Sequence, residues 1–123
     1  MTTYKLIMPE HLNPYNRLFG GYLLQWVDET AWLAVSQDYP GCRFVTIALS
    51  EVVFHKGAPG GGILRFEVDR VKEGRTSVTY AVTVHLRLPQ DPAAADEHIF
   101  STQITFVRIG PDEQKLPLSA PVA

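Results

Sequence analysis

Gly20-Gly21-Tyr22-Leu23-Leu24-Gln25-Trp26-Val27-Asp28-Glu29-Thr30-Ala31-Trp32-Leu33-Ala34-Val35-Ser36-Gln37-Asp38 is the stretch on which the architecture turns. Two glycines open it, and Pro40-Gly41 stops it. That punctuation predicts a helix over residues 20–38, roughly 27 Å long at 1.5 Å per residue. Leu23, Leu24, Val27, Ala31, Ala34 and Val35 form one broad apolar face, and Trp26 and Leu33 lie outside it. A helix that is apolar on most sides is expected to be buried.

The segments around it read as strands. Tyr4–Met8 is short and ends at Pro9, which cannot donate to a ladder. Arg43–His55, Ile63–Lys72, Thr76–Leu88 and His98–Ile109 are long for strands, whose usual length is about 5–6 residues. The third of these alternates most cleanly: Val78, Tyr80, Val82, Val84, Leu86 and Leu88 face one way, Ser77, Thr79, Ala81, Thr83, His85 and Arg87 the other. In Ile63–Lys72 the same alternation sets Leu64, Phe66 and Val68 against Arg65, Glu67 and Asp69. Short connections favour antiparallel pairing. The expectation is an α+β fold in which a curved antiparallel sheet wraps one helix. An all-β barrel would leave the helix without a place. The tail from Gly110, with Pro111, Pro117 and Pro121, is expected to lie extended on the surface.

The chain of 123 residues is the size of one domain, and residues 1–123 are read as such. Lys and Arg total 11 against 13 Asp and Glu, a formal net charge of −2, so the basic footprint of a nucleic-acid binder is absent. No apolar run approaches the roughly 20 residues that span a bilayer, and the first residues lack a secretory pattern. One cysteine, Cys42, permits no intrachain disulfide and no cysteine-rich zinc site. The expected compartment is the reducing cytoplasm. The four histidines, His11, His55, His85 and His98, show no metal-ligand spacing, and no dinucleotide, P-loop, metalloprotease or serine-hydrolase signature is present. Gly57-Ala58-Pro59-Gly60-Gly61-Gly62 lacks the helix start that makes a glycine loop bind phosphate, and reads as a flexible hairpin loop.

Asp28 is out of place. At helical spacing its neighbours are Leu24, Ala31, Trp32 and Val35, whereas Glu29 joins the more polar stripe of Gln25 and Ser36. A carboxylate on an apolar surface loses hydration, which raises its pKa unless a donor or a cation compensates. Such acids gather at active sites; an acid that hydrogen-bonds a neighbouring loop fits the helix pattern equally well. Gly20-Gly21 is the second pointer. Its first-turn N–H groups have no partner within the helix and suit a developing oxyanion. A double glycine that lets helix and sheet pack closely is the alternative. Asp28 is two turns beyond, so both features are expected to border one groove.

Asn13-Pro14-Tyr15-Asn16-Arg17-Leu18-Phe19-Gly20-Gly21-Tyr22-Leu23-Leu24-Gln25-Trp26-Val27-Asp28 resembles the opening of hotdog-fold acyl-CoA thioesterases, D-x-N-x-x-G-x-x-F-G-G-x-[LI]-[LM]-x-W-[MIV]-D. Gly74-Arg75-Thr76-Ser77-Val78 is similar to the family's G-[RT]-[TS]-S element, and the resemblance covers nearly the whole chain. It implies the hotdog fold, one long helix wrapped by an antiparallel sheet, in dimers whose sheets join and often in tetramers or hexamers, with the site at the dimer interface. It implies that Asp28 is the catalytic carboxylate, as general base or nucleophile, that Asn13 positions water or thioester, and that the Gly20-Gly21 backbone polarises the carbonyl. It implies that Gly74, Arg75, Thr76 and Ser77 meet the phosphate and pantetheine portion of CoA, with no metal or other cofactor. Four departures stand out. His11 replaces an Asp and Asn16 a Gly; Gly57 replaces a Pro, and Gly61-Gly62 a Gly-Asp.

Thioester hydrolysis suits these groups, because the carbonyl needs a donor for its growing charge and water needs a base. Two other readings keep the fold: a non-catalytic acyl-CoA binding module, and a hotdog hydratase or dehydratase, for which His11 is the only histidine near the site in sequence.

Overall fold

The computed structural model describes residues 1–122. Five strands, β1 (Thr2–Leu6), β2 (Arg43–Phe54), β3 (Ile63–Glu73), β4 (Ser77–Arg87) and β5 (Glu97–Ile109), surround one helix, α1 (Gly20–Asp38), and a 3-10 turn occupies Pro9–His11. The strands form a single sheet in the order β1-β3-β4-β5-β2, and every neighbouring pair is antiparallel.

The elements follow from local chemistry. Phe19 is extended, and its carbonyl accepts the first helical N–H groups, those of Tyr22 and Leu23. At the other end Tyr39 N–H donates to Val35 O, and Gly41 then turns the chain at φ +80°, a conformation L side chains rarely adopt. Alternation in β3 and β4 places Leu64, Phe66, Val68, Val78, Tyr80, Val82, Val84 and Leu86 inside, as the sequence pattern requires. They pack on Leu23, Trp26, Val27, Ala31, Ala34 and Val35 of α1. Burial of each Val, Leu or Phe among them contributes about 1.5–3 kcal/mol.

Four expectations need correction. β1 ends at Leu6, two residues early, because Ile7 turns inward to the core and exchanges backbone bonds with Gly61 and Gly62. The helix is covered on one side only: Trp26 is buried, yet Trp32 and Leu33 are 50% and 46% exposed. The 56–62 loop is not a free hairpin. Ala58 is in the core, its carbonyl accepts Leu18 N–H, and a Cβ on Gly62 would lie 2.7 Å from Leu86 Cδ1. Lastly, the C-terminal tail returns to the sheet, with Leu116, Pro117 and Leu118 half-buried.

Since β2 lies at an edge of the sheet, one side of its backbone has no strand beside it. It carries exposed Val45, Ile47, Val52, Val53 and Phe54. An edge strand of this length and polarity is a template for another chain.

Candidate active site

The helix start and Asp28 open into two different cavities. The first, about 500 Å³, lies at the start of α1, where Asn13, Gly20, Phe54, His55 and Lys56 are among its walls. The second, about 350 Å³, is formed by Asp28, Glu29, Trp32, Leu33 and Thr46. No residue borders both. Asp28 is eight positions beyond Gly20 in the helix, about 12 Å along the axis. The single groove expected beside the helix is therefore two half-sites on this chain.

In the first half-site the loop before the helix is built by Asn13. Its Oδ1 accepts Tyr15 N–H at 2.9 Å and Arg17 N–H at 3.1 Å, an Asx turn. Two backbone donors fix the orientation of the amide and leave Nδ2 as the free donor group. Asn16 takes a left-handed φ of 61°, which asparagine tolerates where the family has glycine. Gly20 is packed beneath Phe54, whose Cζ would be 3.3 Å from an added Cβ, while Gly21 has room. Close packing thus accounts for Gly20. Among the described residues, the N–H groups of Gly20 and Gly21 meet no acceptor.

The second half-site holds the acid. Thr46 Oγ1 donates to Asp28 Oδ1 at 2.7 Å. That bond fixes one carboxylate oxygen and leaves the other without a partner among the described residues. Glu29 accepts Gln25 Nε2 at 3.1 Å, in line with the polar stripe, but it also borders this cavity. Asp28 itself is exposed on the single chain. Its expected desolvation is not supplied by its own helix, because the Trp32 and Leu33 side of α1 faces the uncovered β2 edge. Thr46 was not foreseen: nothing in the β2 sequence marks it, and only the register of β2 against α1 brings it to Asp28.

Residues 74–77 form the β3–β4 turn. Gly74 N–H donates to Ser77 O at 2.7 Å, and a Cβ at Gly74 would stand 2.9 Å from Ser77 Oγ. The turn lies toward the C-terminal end of α1. Ser77 pairs with Val107, which pairs with Val45, next to Thr46. Two inter-strand spacings, about 10 Å, therefore separate the start of β4 from β2 beside Thr46. Arg75 is exposed, and among the described residues no acid pairs with it. Two strand arginines are occupied. Arg65 bonds Glu67 and Asp96, and this raises its own pKa and holds the Asp96 carboxyl below its ordinary value. Arg70 donates to Tyr39 OH at 3.2 Å.

His11 is engaged elsewhere. Its ring stacks edge-on against Tyr22 and Trp26, with centroids at 4.9 and 4.8 Å, and its Nδ1 accepts Met8 N–H at 3.0 Å. It borders neither cavity. An imidazole held in this way organises the loop and is not placed for acid–base chemistry beside Asp28.

Comparison with known proteins shows the family and the fold. The family model of the thioesterase superfamily matches residues 15–91. An uncharacterized acyl-CoA thioester hydrolase of Zymomonas mobilis is 32% identical over 116 residues, covering 94% of this chain and 74% of that protein. Human mitochondrial acyl-coenzyme A thioesterase 9 is 26% identical over 113 residues, covering 92% of this chain but only 24% of that protein. The crystal structure of a hexameric hotdog-fold thioesterase of Campylobacter jejuni superposes with a TM-score of 0.82 at 29% identity, covering 95% of this chain and 88% of that one. The helix-in-sheet arrangement is the hotdog fold.

Proposed function

We propose, from the premise that this chain belongs to the thioesterase superfamily, that it hydrolyses acyl-CoA thioesters in a site assembled from two copies. The observation that carries this reading is the division of the chemistry: the acid and the free N–H donors open into separate cavities, and the acid lies beside an uncovered apolar edge. A second copy laid along β2 covers Ile47 and Val45, closes the Asp28 cavity, and brings its own helix start to that acid. The hexameric assembly of the Campylobacter relative supports such self-association.

In this site the thioester carbonyl oxygen receives the Gly20 and Gly21 N–H groups of one copy, with Asn13 Nδ2 as a further donor. These dipoles meet the negative charge as it forms, and removal of one such donor typically costs about 10²–10³-fold in kcat. Asp28 of the other copy takes the proton of the attacking water as general base, or attacks the carbonyl itself. The thiolate of CoA departs without strong acid help. Arg75, in the 74–77 turn, is exposed and pairs with no acid among the described residues; it serves as a cation for a CoA phosphate, and residues 1–123 act as one domain. We place the reaction in a reducing compartment, the cytoplasm, on the free Cys42. Among the described residues no helix is long and apolar enough to cross a membrane.

The test is release of free thiol from a panel of acyl-CoAs. Turnover that Asp28→Asn abolishes supports the proposal. Tight acyl-CoA binding with no turnover of any thioester would point instead to a binding module and overturn it.

A further inference from the structure

Arg108 departs from the pattern of strand arginines. It lies on β5 and is only 4% exposed. Among the described residues no carboxylate pairs with it. Its two terminal nitrogens bond carbonyls of the C-terminal tail, while Nε is buried without a partner among the described residues: Nη1 donates to Pro117 O at 3.0 Å, Leu118 O at 3.4 Å and Ala120 O at 2.6 Å, and Nη2 to Pro121 O at 3.2 Å. Burial of a charge without an opposite charge is costly, so this fork of carbonyls is what keeps the cation in place. The tail so held reaches further. Leu116 N–H donates to Arg108 O at 2.9 Å, and Leu118 N–H donates to Arg75 O at 2.8 Å. Arg108 N–H itself donates to Thr76 O at 2.9 Å. Val122 closes against Gly41, where an added Cβ would meet Val122 Cγ1 at 2.9 Å.

Both carbonyls of the Arg75–Thr76 segment are thus bound from beneath, one by the backbone of Arg108 and one by the tail that its side chain clasps. From this geometry we infer that Arg108 is a positioning residue for nucleotide recognition: by holding the tail it sets the 74–77 turn, and with it the direction in which Arg75 leaves the protein. The inference rests on the reading of that turn as the CoA-binding element. Arg108 touches no reacting atom, so its effect belongs in KM for substrates that carry the nucleotide.

The experiment compares an acyl-CoA with the corresponding acyl-N-acetylcysteamine, which has the same thioester and no nucleotide. Arg108→Met is expected to raise KM for acyl-CoA roughly threefold to tenfold, the size of effect of a residue acting through its neighbours. The kcat for acyl-CoA should change less than twofold, so that preference for acyl-CoA over the short thioester falls. Arg108→Lys, with three donors for the same carbonyls, should recover most of that preference. Leu118→Pro removes the N–H that reaches Arg75, together with a side chain packed at the edge of the core, and should act in the same direction if Arg108→Met does not fold. Equal loss on both substrates, or a loss of thermal stability with preference intact, would overturn the role assigned to Arg108. Arg75→Ala separates the two ideas. If it leaves KM for acyl-CoA unchanged, the turn is not the nucleotide site and the inference falls with that reading. If it raises KM while Arg108→Met and Leu118→Pro do not, only the role of Arg108 is wrong.

Discussion

The two long sides of α1 meet different fates. On one, Trp26, Val27, Ala31 and Val35 are sealed by β3, β4 and β5, and each inner strand residue finds its place from a two-residue alternation. On the other, Asp28, Trp32 and Leu33 open onto β2, an edge strand that keeps Val45 and Ile47 in water. The first side obeys rules that one chain can satisfy alone. The second combines an acid with apolar surface, a combination that costs stability unless something else covers it. Structure is finished on the closed side, and chemistry is left for assembly on the open one.

Substitutions should respect that division. Asp28→Asn should lower kcat by about 10²–10⁴-fold, the usual contribution of a general base. Its thermal midpoint should not fall, since the second copy covers this acid and an amide is cheaper to desolvate there than a carboxylate. A large loss of stability with activity intact would erase the contrast. Phe106→Ala probes the sealed side. The ring is fully buried, edge-on to Phe44 and Tyr80, and its loss should cost about 3–5 kcal/mol in urea unfolding.

A smaller change is expected at the seam between the two sides. Thr46→Val keeps shape and removes the hydroxyl on Asp28. A fall in kcat of about tenfold, or about 1.4 kcal/mol, is the outcome for a hydrogen bond to a charged group at an accessible position. Unchanged kcat would show that Thr46 only packs there.

The smallest effect belongs to Tyr80, where the sealed core meets the helix end. Its hydroxyl donates to Asp38 Oδ2 at 2.7 Å, and burial together with that acceptor pushes the phenol well above its ordinary pKa of 10.0. A group whose folded pKa is raised stabilises the fold fully below its unfolded value, and that contribution fades as pH climbs toward the folded one. Tyr80→Phe should therefore cost about 1 kcal/mol at neutral pH. Its unfolding midpoint should fall less steeply than wild type above about pH 10; parallel curves would remove this pair from the ledger of stability.

Much of this was legible beforehand, for identifiable reasons. Gly20 and Pro40-Gly41 bound the helix by backbone chemistry, and β4 declares its inner face by strict alternation. Asp28 was marked by its apolar neighbours at helical spacing, whereas Asn13 and the 74–77 turn were marked only by resemblance to the family's motifs. What escaped depends on contacts between distant segments. The neighbours of Asp28 along the helix are apolar as read, but a helical wheel does not say what covers them. Thr46 is one threonine in a strand of mixed polarity, and only its register against α1 makes it a partner. Nothing in the β5 sequence marks Arg108 as a buried cation, because the tail that folds back over it is a distant segment. Ile7 belongs to the core because β1 stops early, a decision made by the 61–62 loop and not by its own segment.

Complementation measures the division of one site between two copies. Asp28→Asn removes the acid. Gly21→Pro removes a helix-start N–H at a first-turn position where proline is tolerated. The two inactive chains are co-expressed with different tags and purified through both, so that every assembly contains each. Shared sites predict recovered thiol release from acyl-CoA, because the intact acid of one chain meets the intact helix start of the other. Mixed assemblies no more active than either parent would contradict the account.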